Sequence, residues 1–318
     1  MLHFSTDDLS PQHRFDHWRE VRGKSLFGVT IELHRAHRDT FHGRFSAVAV
    51  GGAVFSQMHA SSYRISRTPA DIARMPGDSL CIGLQARGPG WLDIHRGRGQ
   101  AIRNGDLTIS HSDQPFTGTP ERGDGFDYAM LKIPLGGDML LGAPAHDLFA
   151  TTLRRDGPLS RPFAALFRAI AAGPRDAAEA PAAITHLARL AMLERGRLQR
   201  GMPEIRAALR AGYFHAALEI LARDLDRPDL SPGAVARELG ISPRHLHVLF
   251  EPSGRSFSRT LAGLRVARAG DLLRREPARR VSDIAFACGF DSLATFYRAF
   301  QASFGMTPAD LRASAAPT

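Results

Sequence analysis

Apolar and polar residues alternate along the first part of the chain and recur every three or four positions along the rest. Period-two alternation is clearest at 43–50 (GRFSAVAV), 62–67 (SYRISR) and 79–85 (SLCIGLQ), the spacing of half-buried strands. Shorter stretches at 91–95, 106–110 and 126–133 extend the series, and Pro76-Gly77, Gly88-Pro89-Gly90 and Asn104-Gly105 punctuate it. Many short strands between closely spaced turn signals predict a barrel or sandwich rather than a parallel α/β sheet. Ahead of them, 10–22 reads as a short amphipathic helix, with Ser10 as cap and Pro11 in its first turn.

From about Pro158 the period changes. Segments 162–172 and 177–200 are rich in Ala and Leu and are separated by Gly173-Pro174. Ile184, Leu187, Leu190 and Ala191 share one helical face. Most such faces pack on their own domain; a contact with a second copy is the alternative. Residues 203–226 continue helical until Asp226-Arg227-Pro228-Asp229 stops them.

The last 88 residues, 231–318, contain a weak internal repeat. Ala236 and Gly240 of the first copy (231–250) superpose on Ala285 and Gly289 of the second (281–300). With one extra residue in the second turn, Leu246 and Phe250 superpose on Phe296 and Phe300. Both copies then reach Gly-x-Ser/Thr, as Gly254-Arg255-Ser256 and Gly305-Met306-Thr307. Each piece has a role in a helix-turn-helix. A hydroxyl caps the first helix (Ser231 or Ser282), and a small alanine lets two helices cross. A glycine ends the first helix at positive φ. Ser242 or Asp291 caps the second helix, and apolar residues at i and i+4 anchor it inward. Pro243, Arg244, His245 and His247 in one copy, and Ser292, Ala294, Thr295 and Arg298 in the other, are then forced outward. Short polar residues with arginine suit a helix entering the major groove. A helix-like stretch, 257–275, joins the copies.

These residues resemble the AraC/XylS family of bacterial transcription regulators. The resemblance rests on Ile241-Ser242-Pro243-Arg244-His245-Leu246, Gly254-Arg255-Ser256-Phe257, Ile284-Ala285, Cys288-Gly289-Phe290, Arg298-Ala299-Phe300 and Phe304-Gly305-Met306-Thr307-Pro308. It covers roughly 225–313. Glu251-Pro252 and Gln301 depart from the usual polar or basic residues there. The first half, with Trp18, Gly105-Asp106 and Pro115-Phe116, is similar to the cupin-like sensing domain of one branch of the family. The implied fold is α+β in two domains. A cupin-like β-barrel with dimerising helices occupies 1–200, a linker helix 201–224, and an all-α tandem helix-turn-helix domain 225–318. The implied partners are double-stranded DNA, a small-molecule effector held in the barrel, a second copy of the chain, and RNA polymerase. No cofactor is implied.

Composition narrows the alternatives. The 318 residues are 43% hydrophobic and 23% charged, an ordinary globular balance in a chain long enough for two domains. No run approaches the ~18 apolar residues of a membrane span, and the polar, acidic start lacks a secretory pattern, so a soluble cytoplasmic protein is expected. Net charge is +9, and all of the 41 basic residues except Lys24 and Lys132 are arginine. A GC-rich genome accounts for much of that bias, yet 231–318 holds 12 arginines against 7 acidic residues, the sign that a phosphate backbone requires. Two distant cysteines, Cys81 and Cys288, exclude a disulfide framework and a thiolate-rich zinc site. No P-loop occurs. A cupin-type enzyme fused to a helical module is the competing reading, but His34, His37, His59, His95 and His111 lack metal-ligand spacing, so no metal is expected. The one His-x-His pair, His245 and His247, lies on the first recognition helix. Trp91, Phe55 and Met58 are possible barrel-lining residues, and no effector contact is assigned.

Overall fold

The computed structural model describes residues 1–94, 99–173 and 177–314. The chain divides into two units, Met1–Leu209 and Arg210–Thr318. His95 and Pro174 lie outside the described residues.

The first unit opens with strand β1 (Leu2–Ser5) and helix α1 (Pro11–Trp18). Pro11 takes the first turn, but the Ser10 hydroxyl bonds the His13 ring (2.8 Å) rather than the helix backbone. The helix runs on as a π-helical stretch, Arg19–Phe27, which Gly28 closes at φ +59°. Ten further strands follow: β2 (Thr30–Glu32), β3 (Gly43–Val50), β4 (Ala53–Ala60), β5 (Arg64–Arg67), β6 (Ser79–Arg87), β7 (Gly90–Asp93), β8 (Gly99–Ile102), β9 (Asp106–His111), β10 (Phe116–Pro120) and β11 (Phe126–Pro134). A short helix, α2 (Pro69–Arg74), separates β5 from β6, and the two-residue β12 (Thr151–Thr152) ends the series.

These strands form two antiparallel sheets, one in the order β1-β3-β4-β11-β6-β9-β12 and one in the order β2-β5-β10-β7-β8. This is the sheet-rich half that the alternation predicts, in the place where the resemblance implies a cupin-like domain. The β3–β4 hairpin escaped the pattern. Val50 pairs with Ala53 across Gly51-Gly52, both at positive φ (+55° and +85°), the two-residue turn whose twist matches that of the strands.

Helices α3 (Ser160–Ala171), α4 (Ala180–Glu194) and the start of α5 (Pro203–Asp224) pack on the larger sheet. Phe163, Phe167, Ile184, Leu187, Leu190 and Ala191 meet Leu80, Ile82, Ile109, Leu131 and Ile133, all within 4% of full burial. The Ile184–Ala191 stripe is therefore core of its own unit. A second copy cannot pack on Leu187 and Leu190, which are already enclosed in that core.

The second unit comprises the remainder of α5, then α6 (Pro232–Leu239), α7 (Pro243–Phe250), α8 (Phe257–Arg275), α9 (Val281–Ala287), α10 (Leu293–Phe304) and α11 (Pro308–Ser314). Phe250 stacks edge-on against both Phe214 (5.3 Å) and Phe257 (5.7 Å) in the first hairpin. Ile284, Ala285, Cys288, Phe290, Phe296 and Phe300 fill the second, against Val266, Ala269 and Leu273 of α8. Arg223 of α5 bonds Glu238 of α6 (2.8 Å) and its own neighbour Asp224 (2.7 Å). Arg265 donates to the Leu225 and Arg227 carbonyls (2.7 and 2.6 Å), tying α8 to the end of α5.

Two outcomes follow from this packing. Leu187→Ala should lower stability by about 2–5 kcal/mol, read as a shifted urea midpoint in a protein whose association state is unchanged. Gly240 and Gly289 both sit at positive φ (+66° and +81°), but a Cβ on Gly240 meets open space whereas one on Gly289 strikes the Leu225 carbonyl. Gly240→Ala should therefore cost only the left-handed strain, about 1–2 kcal/mol, and Gly289→Ala clearly more. Equal losses in thermal unfolding would contradict this packing.

Candidate nucleic-acid interface and internal cavity

The two hairpins present their second helices in the same way. The Ser242 hydroxyl accepts the His245 N–H (3.1 Å) at the start of α7, and the Ser292 hydroxyl accepts the Thr295 N–H (3.5 Å) at the start of α10. Ser292, not Asp291, is the cap, which turns its hydroxyl onto its own backbone and leaves it half-buried. Ser282 lies inside α9, behind Arg280, and bonds Asp283 (3.3 Å) without capping. In the first hairpin Ser231 does cap α6, accepting from the Ala234 N–H (3.3 Å).

Leu246, Leu249, Phe250, Phe296 and Phe300 are buried, so the turns between them face outward. Pro243, Arg244, His245 and His247 are exposed on the first turns of α7, and Ala294, Thr295 and Arg298 on α10. Each hairpin thus brings its own set together. His245 is only partly free, because its ring leans on Tyr213 (6.1 Å). Arg244 and Arg298 form no ion pair among the described residues, in contrast to Arg223, Arg227, Arg274 and Arg279. The sequence pattern missed Leu293 and Tyr297, which share the outer face of α10 at 36% and 44% exposure. Their apolar character reads as core; the signal was their offset by one position from the buried i, i+4 pair. Exposed apolar groups there suit contact with thymine methyls.

The two sheets of the first unit enclose a cavity of about 220 Å³, lined from both of them. Met58 and Trp91 do line it. Phe55 does not: it lies on the helix side, 6.2 Å from the Phe167 ring. Among the described residues three cations, Arg22, Arg67 and Lys132, line the cavity and no carboxylate does.

The two arginines differ in kind. Arg67, 5% exposed, donates to the carbonyls of Ser112 (2.6 Å), Phe27 (3.1 Å), Gly28 (2.7 Å) and Met75 (2.8 Å) and to the Asp113 carboxylate (3.2 Å). It fastens the end of the π-helical stretch to the sheets. Burial pushes the Asp113 carboxyl up, but the Asp78 and Gly77 N–H groups and the Arg67 guanidinium hold it below the usual carboxylate range.

Arg22, 4% exposed, places Nη2 3.2 Å from the Met58 sulfur, and its Nε and Nη1 find no hydrogen-bond partner among the described residues. Its guanidinium lies 4.7 Å from the Phe27 ring centroid and 6.0 Å from that of Tyr63, whose hydroxyl is also buried without a partner among the described residues. Burial pushes the Cys81 thiol up to about 11 and the Tyr128 phenol up to about 12, so both are neutral around pH 7. The sequence carried a sign of Arg22. It falls on the helical face of Phe15 and Trp18, at i+7 and i+4, where an arginine is out of place in an apolar stripe.

A cavity-bearing β-sandwich followed by two hydroxyl-capped helix-turn-helix hairpins defines a class of two-unit helix-turn-helix proteins. An AraC-binding-like domain matches residues 18–194, and a helix-turn-helix domain matches 235–314. The chain belongs to the AraC/XylS family of transcriptional regulators. It is 41% identical to the HTH-type transcriptional regulator GlxA of Rhizobium meliloti (strain 1021) over 111 residues, 33% of this chain and 34% of that protein. It is 29% identical to the transcriptional activator RhrA of the same organism over 143 residues, 37% of this chain and 46% of that protein. The matches thus span under half of either relative. A crystal structure of the AraC-like transcriptional activator CuxR is 20% identical, with 90% of this chain and 100% of that one covered and a TM-score of 0.48.

Alanine at Arg244 or Arg298 should weaken duplex binding with the fold intact. A loss of about 1–3 kcal/mol confined to the specific site marks base readout. A uniform loss, with the salt slope smaller by about one, marks a phosphate contact. Titrating each variant on specific and random duplexes at several salt concentrations distinguishes them, with base readout expected for at least one of the pair; two unchanged affinities would remove the assigned faces.

Proposed function

We propose that this chain is a sequence-specific DNA-binding transcriptional regulator controlled by a small molecule held in the N-terminal cavity. The observation that carries the reading is the pairing of two outward helices, α7 and α10, each with a free arginine and each fixed by a hydroxyl cap. One such helix is common. Two in one unit, on a family fold whose other unit is hollow, favour a regulator over the cupin-type enzyme. The DNA contacts proposed are Pro243, Arg244, His245, His247, Ala294, Thr295 and Arg298, with Leu293 and Tyr297 added and Ser292 acting as the cap beside them.

A homodimer would place two such units on two half-sites and raise avidity through effective concentration. Its contact surface must lie off the buried α4 stripe. RNA polymerase is a further partner of the same reading. Among the described residues no helix is long and apolar enough to cross a membrane, and the proposed compartment is the cytoplasm.

The test is a footprint of the purified full-length protein on its own upstream DNA, with a random duplex as control. Protection of adjacent major-groove segments is expected, with affinity falling by orders of magnitude between about 50 and 200 mM salt. A folded protein that protects no DNA even at low salt would overturn the reading.

A further inference from the structure

We infer that the cavity ligand is a small carboxylic acid with an apolar body, its carboxylate held by Arg22 and Tyr63. The inference rests on the regulator reading above and assigns the chemistry of its effector. Three observations carry it. First, among the described residues Arg22 is 4% exposed with Nε and Nη1 unpartnered, and Tyr63 is 5% exposed with an unpartnered hydroxyl. A buried guanidinium without acceptors is strongly disfavoured, and both groups line the same cavity. Second, the described lining holds three cations and no carboxylate. Arg67 already has five acceptors, including Asp113, so the unmet demand falls at Arg22. Third, the guanidinium stands among Phe27, Tyr63 and Met58, and Ile65, Leu92 and Phe116 continue the apolar wall. A planar carboxylate fits the guanidinium fork, and a hydrocarbon body fits the wall.

The position of Arg22 gives such a ligand a reason to matter structurally. The residue sits on the π-helical stretch, where the ladder of a regular α-helix is interrupted, a setting often found at functional sites. Charge satisfied at that point would stabilise the stretch that Arg67 and Gly28 terminate.

The experiment uses the full-length protein, with hexanoate and 3-phenylpropionate as probes, their neutral amides as matched controls, and inorganic phosphate as the plain anion. Melting midpoint and calorimetric affinity are the readouts, and duplex binding is measured on the same samples. The acids should raise the midpoint and the amides should bind at least about tenfold more weakly, the loss expected of one charge-assisted hydrogen bond. Arg22→Met should abolish that preference while raising the ligand-free midpoint, because an uncompensated charge leaves the interior. Tyr63→Phe should weaken the acids several-fold. If Arg22→Met does not fold, the acid–amide comparison on the unmodified protein decides alone. Amides that bind as well as acids, phosphate that protects equally, or no acid protecting at all overturns the proposal. Intact duplex binding in that case leaves the regulator reading standing, whereas its loss as well sinks both.

Discussion

The N-terminal unit depends on where its larger sheet finds its hydrophobic partner. Two facing sheets are ordinarily stabilised by filling the space between them. Here α3, α4 and the start of α5 cover the outer face of the seven-stranded sheet, and Leu80, Ile82, Ile109, Leu131 and Ile133 are buried there. With a dense core supplied outside the sheet, the space inside need not be filled. Sheet alternation then does double duty: one set of side chains on β6, β9 and β11 holds the helices, and the other set faces the cavity. The same commitment explains why the α4 stripe is unavailable to a second copy.

Strong local signals were legible in the sequence. The helix-turn-helix hairpins could be read because their determinants are local: a hydroxyl, an alanine, a glycine at positive φ, and an i, i+4 pair. The errors were also local. Asp291 and Ser292 are adjacent possible caps, and only backbone geometry selects the serine. Strand β4 (AVFSQMHA) was not recognised, because Ala53, Phe55, Ser56, Met58 and Ala60 are all buried and break a simple alternation. Leu293 and Tyr297 were absent from the proposed reading face because apolar residues on a packed helix suggest core.

Arg22 was less accessible to such reading. Its helical stripe was visible, but an arginine in it looks like a solvated edge. Its burial comes from long-range structure: the π-helical stretch carries it under Phe27, and β4 and Tyr63 bring Met58 and a phenol to it. Arg67 has the same residue type in the same cavity, yet five acceptors make it a fastener. The difference lies in tertiary surroundings that no pattern of spacing records.

Helices α7 and α10 also differ from one another. The first is a short helix of 8 residues bearing proline, arginine and histidines; the second has 12 residues and bears alanine, threonine, leucine, tyrosine and arginine. The symmetry that the sequence repeat implies is therefore absent at their surfaces. A duplex engaged by both helices of one chain would acquire an orientation: its two ends would not be interchangeable, and an inverted site would be a different site. Polarity of that kind resides in a single chain, before any second copy contributes.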